Sequence, residues 1–233
     1  MGRNPEIIEE EDPSALVAAV RRAVEESVSP GDRITVPTGR TPAPLYREVI
    51  ADSRARALWR ALRFLQLDEY IDPPPGTESF AATLARDLFD PLGIAEEHRG
   101  ATTAPGDRAE GARLDRLHAS SGLAVCLLGL GSNGHIAFNE PGDEAAGYHR
   151  VTLTDETTAA NFGCAVPSGT PIEALTIGID QILASRRVLL WVPQPEKQEL
   201  LDRVLTGPID PQIPATALRR HPNWVVFRSS RAT

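Results

Sequence analysis

His135 is the residue whose setting most clearly allows chemistry. It lies in GSNGHIAFNE (131–140), with Asn133 two residues before it and Glu140 five after. A carboxylate bonded to one imidazole nitrogen fixes the ring's tautomer and leaves the other nitrogen for proton transfer. The same pattern also suits a buried histidine that only satisfies its neighbours. A second cluster is QLDEYI (66–71), which places Asp68 and Glu69 at the end of an apolar run. A desolvated carboxylate there would have a raised pKa and serve as a base, whereas two solvated loop acids would do nothing. PTGRTP (37–42) is the third. Gly39 allows a tight turn, Thr41 suits an N-cap and Pro42 a first helical residue, so free amides and the helix dipole would attract an anion. Arg40 adds a bidentate donor suited to phosphate. The GxxxxGK[ST] spacing of a P-loop is absent. Lys197, in PEKQELL (195–201), is a further candidate cation at the start of a helix. Each of the last two clusters also reads as an ordinary capped or solvated helix. The other four histidines have no supporting context.

Alternating helical and strand patterns position these clusters. EIIE (6–9), RITVP (33–37), LRFLQL (62–67), LAVCLLGL (123–130), RVTLT (150–154), ALTIGI, RRVLLWV (186–192) and WVVF (224–227) read as strands. Helices are expected over 13–28, from Pro42, over about 80–90, over 108–120 and over 196–206. Residues 155–171 are polar, with two glycines and two prolines, and read as a mobile loop or lid. Short apolar strands between helices predict an α/β fold with a mostly parallel sheet. Ligands of such folds sit at the carboxyl ends of strands, where TGRT, DEY and GSNGHIAFNE all fall.

The chain's 233 residues include 41% hydrophobic residues, enough for one sizeable core. A net charge of −8 argues against nucleic-acid or membrane-surface binding. No apolar run approaches the roughly 18 residues of a membrane span, and the acidic start MGRNPEIIEEED does not read as a signal peptide. Two cysteines, Cys126 and Cys164, make no disulfide framework or CxxC, and Cys126 reads as core. No metal-ligand set is visible. The expectation is a cytoplasmic single domain over 1–233, without metal or cofactor.

The motifs PTGRTPAPLY, LDEY, LGLGSNGHIAFNEPG, VTLT, ALTIGI, EKQELL and IPATALRRHPN occur in the order found in glucosamine-6-phosphate deaminases. The chain resembles that family, within the wider group that includes 6-phosphogluconolactonase. HIAFNEP and DEY favour the deaminase branch. The resemblance implies a NagB/RpiA-like, Rossmann-like three-layer domain with 155–171 as lid. It also implies a cofactor-free aldose–ketose isomerisation that releases ammonia in amino-sugar catabolism, an activity expected to fall under both hydrolase and isomerase. Asp68 would then move a proton between C2 and C1. His135, oriented by Glu140 and flanked by Asn133, would assist opening of the sugar ring. Thr38, Gly39, Arg40, Thr41 and Lys197 would hold the phosphate. The implied partner is a small sugar phosphate, and a homo-oligomer is compatible with the family. Two positions depart from the pattern: Asn133 stands where the deaminases have aspartate, and Thr158 where well-studied ones have a phosphate-binding arginine. Arg40, where many relatives have glycine, could supply the missing charge. These departures keep open an isomerase of another sugar phosphate, a 6-phosphogluconolactonase, and a catalytically weak sugar-phosphate-binding protein.

Overall fold

The computed structural model describes residues 4–163 and 166–230. Cys164 and Ala165, both in the expected lid, lie outside the described residues. The chain runs β1 (Glu6–Glu10), α1 (Pro13–Glu25), β2 (Arg33–Thr35), α2 (Ala43–Ala51), α3 (Ser53–Arg60), β3 (Arg63–Leu65) and β4 (Asp68–Ile71). Next come α4 (Phe80–Leu84), a π-turn (Ala85–Phe89), α5 (Asp90–Leu92), β5 (Arg99–Gly100), α6 (Arg108–Ser121), β6 (Val125–Leu128), β7 (His149–Thr152) and α7 (Asp155–Phe162). It closes with β8 (Glu173–Thr176), α8 (Ile179–Leu183), β9 (Arg187–Val192), α9 (Gln198–Thr206) and β10 (Trp224–Ser229).

Seven strands form a parallel sheet in the order β1-β10-β9-β6-β2-β3-β5. Its central strands are apolar on both sides, because helices cover both faces. Alternation along β6 shows the two layers. Val125 and Leu127 join a core with α1, α2, α3 and the π-turn, while Cys126 and Leu128 join a core with α6, α8 and α9. The Cys126 thiol accepts from Thr35 Oγ1 at 3.2 Å, and burial pushes its pKa up to about 12, as befits a core residue. The chain moves outward in opposite directions from β2 and β6, so a crevice opens between their carboxyl ends.

Several elements differ from the sequence reading. DEYI does not end a strand of the main sheet. It forms β4 of a separate antiparallel sheet, β4-β8-β7, which also takes RVTLT and ALTIGI. α1 stops at Glu25, where the Ser27 hydroxyl folds back onto the Ala23 carbonyl at 2.5 Å. Pro42 caps α2 without a side-chain bond, and Asp52 starts an unforeseen α3 by accepting from the Arg54 and Ala55 amides. The first half of 155–171 is helical: Thr154 caps α7 by accepting from the Thr157 amide. Among the described residues, no helix is long and apolar enough to cross a membrane.

Candidate active site

A cleft of about 440 Å³ opens at the carboxyl ends of β2, β3 and β6. Its walls include Thr38, Arg40, Asp68, His135, Thr157 and Lys197. The four clusters singled out in the sequence thus converge on one space. Gly39, with φ of +96°, turns the loop after β2 in a conformation that other residues resist. The Tyr46 hydroxyl of α2 reaches back and donates to the Pro37 carbonyl, fixing the loop's start. Thr41 lies in a smaller adjoining cavity of about 90 Å³, which Lys197 also lines. It does not cap α2; its hydroxyl accepts from Gln194 Nε2 at 2.8 Å. Lys197 is half-buried and donates to the Leu130 carbonyl at 2.5 Å. Burial pushes its pKa down, with Glu196 opposing.

Asp68 and its neighbour Glu69 diverge in role. The side chain of Glu69 is buried and fully engaged. It accepts from Gln66 Nε2, the Tyr70 amide, and the Phe80 and Ala81 amides at the start of α4. Asp68 lines the cleft, and its carboxyl receives no hydrogen bond among the described residues. Burial, then the neighbouring Glu69 charge, pushes its pKa up to about 8. Such a group is poised to exchange protons near neutral pH. Its backbone is pinned by Gln66, whose Nε2 donates to the Asp68 carbonyl and whose Oε1 accepts from the Thr102 amide.

His135 stacks against Gly131, where any β-carbon would fall 2.4 Å from the imidazole. Its neighbouring turn passes through Ala137 at φ +50°, a strained conformation held by Asn139 Nδ2 donating to the Ile136 and Ile177 carbonyls. Burial lowers the imidazole pKa, opposed by Glu140 and assisted by Lys197. Glu140 Oε1 lies 3.7 Å from His135 Nδ1, outside hydrogen-bond reach. The group bonded to Nδ1 is the Thr157 hydroxyl, at 3.2 Å. Asn133 faces Glu140: its Nδ2 donates to Glu140 Oε2 at 2.7 Å. Thr158 is not part of the cleft wall; its buried hydroxyl has no hydrogen-bond partner among the described residues. Sequence reasoning passed over Gln66, Tyr46, Thr154, Thr157 and Gln194. QLDEYI, PTGRTPAPLY and VTLT contain Gln66, Tyr46 and Thr154, and the expected lid contains Thr157, but no role was read for any of them.

The family described as glucosamine-6-phosphate isomerases/6-phosphogluconolactonase matches residues 9–227. The chain belongs to this family. A glucosamine-6-phosphate deaminase of Streptomyces coelicolor is 36% identical over 205 residues, 84% of this chain and 78% of that protein. One from Hahella chejuensis is 31% identical, over 90% of this chain and 85% of that protein. A solved structure described as a monomeric glucosamine-6-phosphate deaminase superposes with a TM-score of 0.85 at 30% identity, covering 96% of this chain and 97% of that one. Structures of 6-phosphogluconolactonases share the fold, for example that of Trypanosoma brucei with a TM-score of 0.71 at 21% identity. The expected hydrolase class is corrected by these relatives: they are deaminases in a family described by its isomerases.

Proposed function

We propose that this family member converts glucosamine 6-phosphate to fructose 6-phosphate and ammonium. The observation that carries the reading is Asp68: a desolvated carboxyl, free of donors and raised to about 8, facing the same cleft as His135 and two cations. The reaction needs a base on one face of a planar enolamine, able to lift a proton from C2 and return it to C1. Asp68 is that base. His135 works earlier, at the anomeric hydroxyl and ring oxygen, helping the pyranose open. Arg40, Thr38 and Gly39, with Lys197 and Thr41 beside them, hold the phosphate away from the reacting carbons. Arg40 stands in for the charge that Thr158 does not provide.

The chain works as one domain, with 155–171 as the cover. Thr157, Ala160 and Asn161 of α7 already line the cleft, and Phe162 packs on Tyr70 at 5.0 Å between ring centroids. A phosphorylated sugar substrate supports a cytoplasmic enzyme, and among the described residues no helix is long and apolar enough to cross a membrane. The deciding experiment is ammonium release from glucosamine 6-phosphate by purified protein, with Asp68→Asn as control. Turnover that the substitution abolishes supports the reading. A folded wild type that binds the sugar phosphate without releasing ammonium refutes it.

A further inference from the structure

The inference concerns how His135 is held, and it rests on the isomerase reading above. The direction of the Asn133 amide is dictated by the backbone. Its Oδ1 accepts from the His135 amide at 3.1 Å, so Nδ2 faces away, toward Glu140 at 2.7 Å and the hydroxyls of Thr154 and Thr157 at 3.1 and 3.3 Å. Those two hydroxyls form a chain. Thr157 Oγ1 lies 3.2 Å from His135 Nδ1 and 3.1 Å from Thr154 Oγ1, which in turn lies 3.1 Å from Glu140 Oε2.

Counting protons gives the chain a direction. A carboxylate only accepts, and it is the strongest acceptor within reach of Thr154, so the Thr154 hydroxyl proton points to Glu140. Thr154 Oγ1 has two lone pairs: one takes the Thr157 amide and the other the Thr157 hydroxyl, whose proton then lies on the 3.1 Å contact between the two threonines, while the second Asn133 amide hydrogen goes to Thr157 Oγ1 at 3.3 Å. With that proton committed, Thr157 offers Nδ1 only a lone pair, so Nδ1 carries the ring's hydrogen. Each bond polarises the next toward the buried carboxylate. No protein group is bonded to Nε2 among the described residues.

We propose that Thr157 is a positioning residue: through Thr154 it ties the imidazole to Glu140 and holds His135 as the Nδ1–H tautomer, leaving Nε2 as the acceptor. Ring opening then balances. Nε2 takes the proton of the anomeric hydroxyl, whose O–H pair becomes the new carbonyl bond. The C1–O5 pair leaves onto O5, which takes the proton back from Nε2. The transient imidazolium is answered by Glu140 through two hydroxyls, and Asn133 holds that carboxyl in place by donating to its Oε2 at 2.7 Å. Both threonines come from α7 and its cap, so the device is complete only while this segment lies on the cleft.

The test compares wild type, Thr157→Val and Thr157→Ser by two-bond proton–nitrogen NMR at pH 8, with His135→Asn assigning the signal among the five histidines. The Nδ1–H form is expected in wild type and in the serine variant, and its loss in the valine variant. In parallel, Thr157→Val should lower kcat about 10–100-fold with KM within about twofold, and serine should restore kcat to within about threefold of wild type. Thr154→Val breaks the next link and should act alike, which covers a poorly folded Thr157→Val. An Nε2–H form in wild type, or the same tautomer and kcat in the valine variants, overturns the proposal. Absence of turnover in wild type overturns the enzymatic reading instead, while the spectra still decide the tautomer.

Discussion

Replacing Asp68 by asparagine should stop turnover and make the protein more stable. Asparagine keeps the shape of the side chain and removes the charge that the site disfavours. The folded Asp68 carboxyl is raised from about 3.8 to about 8, chiefly by burial. Between these values the folded protein keeps a proton that the unfolded chain has lost. Stability therefore falls as pH rises through this window, and the full benefit of the protonated form exists only below pH 4. At pH 7 the unfolded carboxyl lies about three units past its pKa, which at ~1.4 kcal/mol per unit sets a ceiling of about 4 kcal/mol. Asp68 is partly exposed to the cleft, and water there returns part of that cost. An increase of ~1–3 kcal/mol at pH 7 is expected, or a Tm rise of roughly 2–10 °C for a chain of this size.

Thermal unfolding of wild type and Asp68→Asn at several pH values is the assay, run beside ammonium release. The gap in Tm should widen from pH 4 to pH 8 and level off above it. A variant that is inactive but no more stable than wild type, with no pH trend in the gap, would refute the claim that Asp68 is held at a cost to the fold. In that case its loss of activity would not report on a tuned base.

Arg40→Ala should raise KM for the phosphorylated sugar well above wild type with little change in kcat; an unchanged KM in steady-state assays removes Arg40 from the phosphate site. Asn133→Asp would set a carboxylate against Glu140, where the amide now donates at 2.7 Å. One of the two acids must then keep a proton, so this variant should lose ~1–3 kcal/mol at pH 8 and recover toward wild type at pH 5, as measured by Tm. Glu69→Ala removes the acceptor of four hydrogen bonds and should cost about 3 kcal/mol in denaturant unfolding, since buried donors are left unsatisfied. Gly131→Ala meets the His135 ring at 2.4 Å and should cut kcat by about tenfold or more by displacing it, while binding of inorganic phosphate is kept.

The inner strands of the parallel sheet were readable because they are continuous apolar runs between helices, and the site because its loops follow those strands directly; the edge strand β5, only Arg99 and Gly100 in a polar, turn-rich stretch, was not. What the sequence hid was the use of short segments. DEYI follows β3 after only Gln66 and Leu67, so it reads as that strand's end; its own apolar residues serve a second sheet whose partner, β8, lies about a hundred residues onward. α3 was missed because Asp52, the last residue before it, both ends one helix and starts the next. Arginines fill much of its exposed face, leaving Ala55 and Trp59 as its buried residues.

Asn133 is the clearest case of a residue whose meaning is not local. Taken beside His135 alone, it is a weakened acid, a carboxylate that has lost its charge. In the folded chain its amide oxygen is spent on the His135 backbone, and its nitrogen faces Glu140, Thr154 and Thr157. A donor suits that position: Asn133 Nδ2 meets Glu140 Oε2 at 2.7 Å, while Oε1 has no hydrogen-bond partner among the described residues. The departure from the family pattern is thus matched by its surroundings. An amide that donates to Glu140 Oε2 and accepts from the His135 backbone ties the carboxyl, the two threonines and the imidazole into one network, which is what ring opening needs of this position and what binding alone does not.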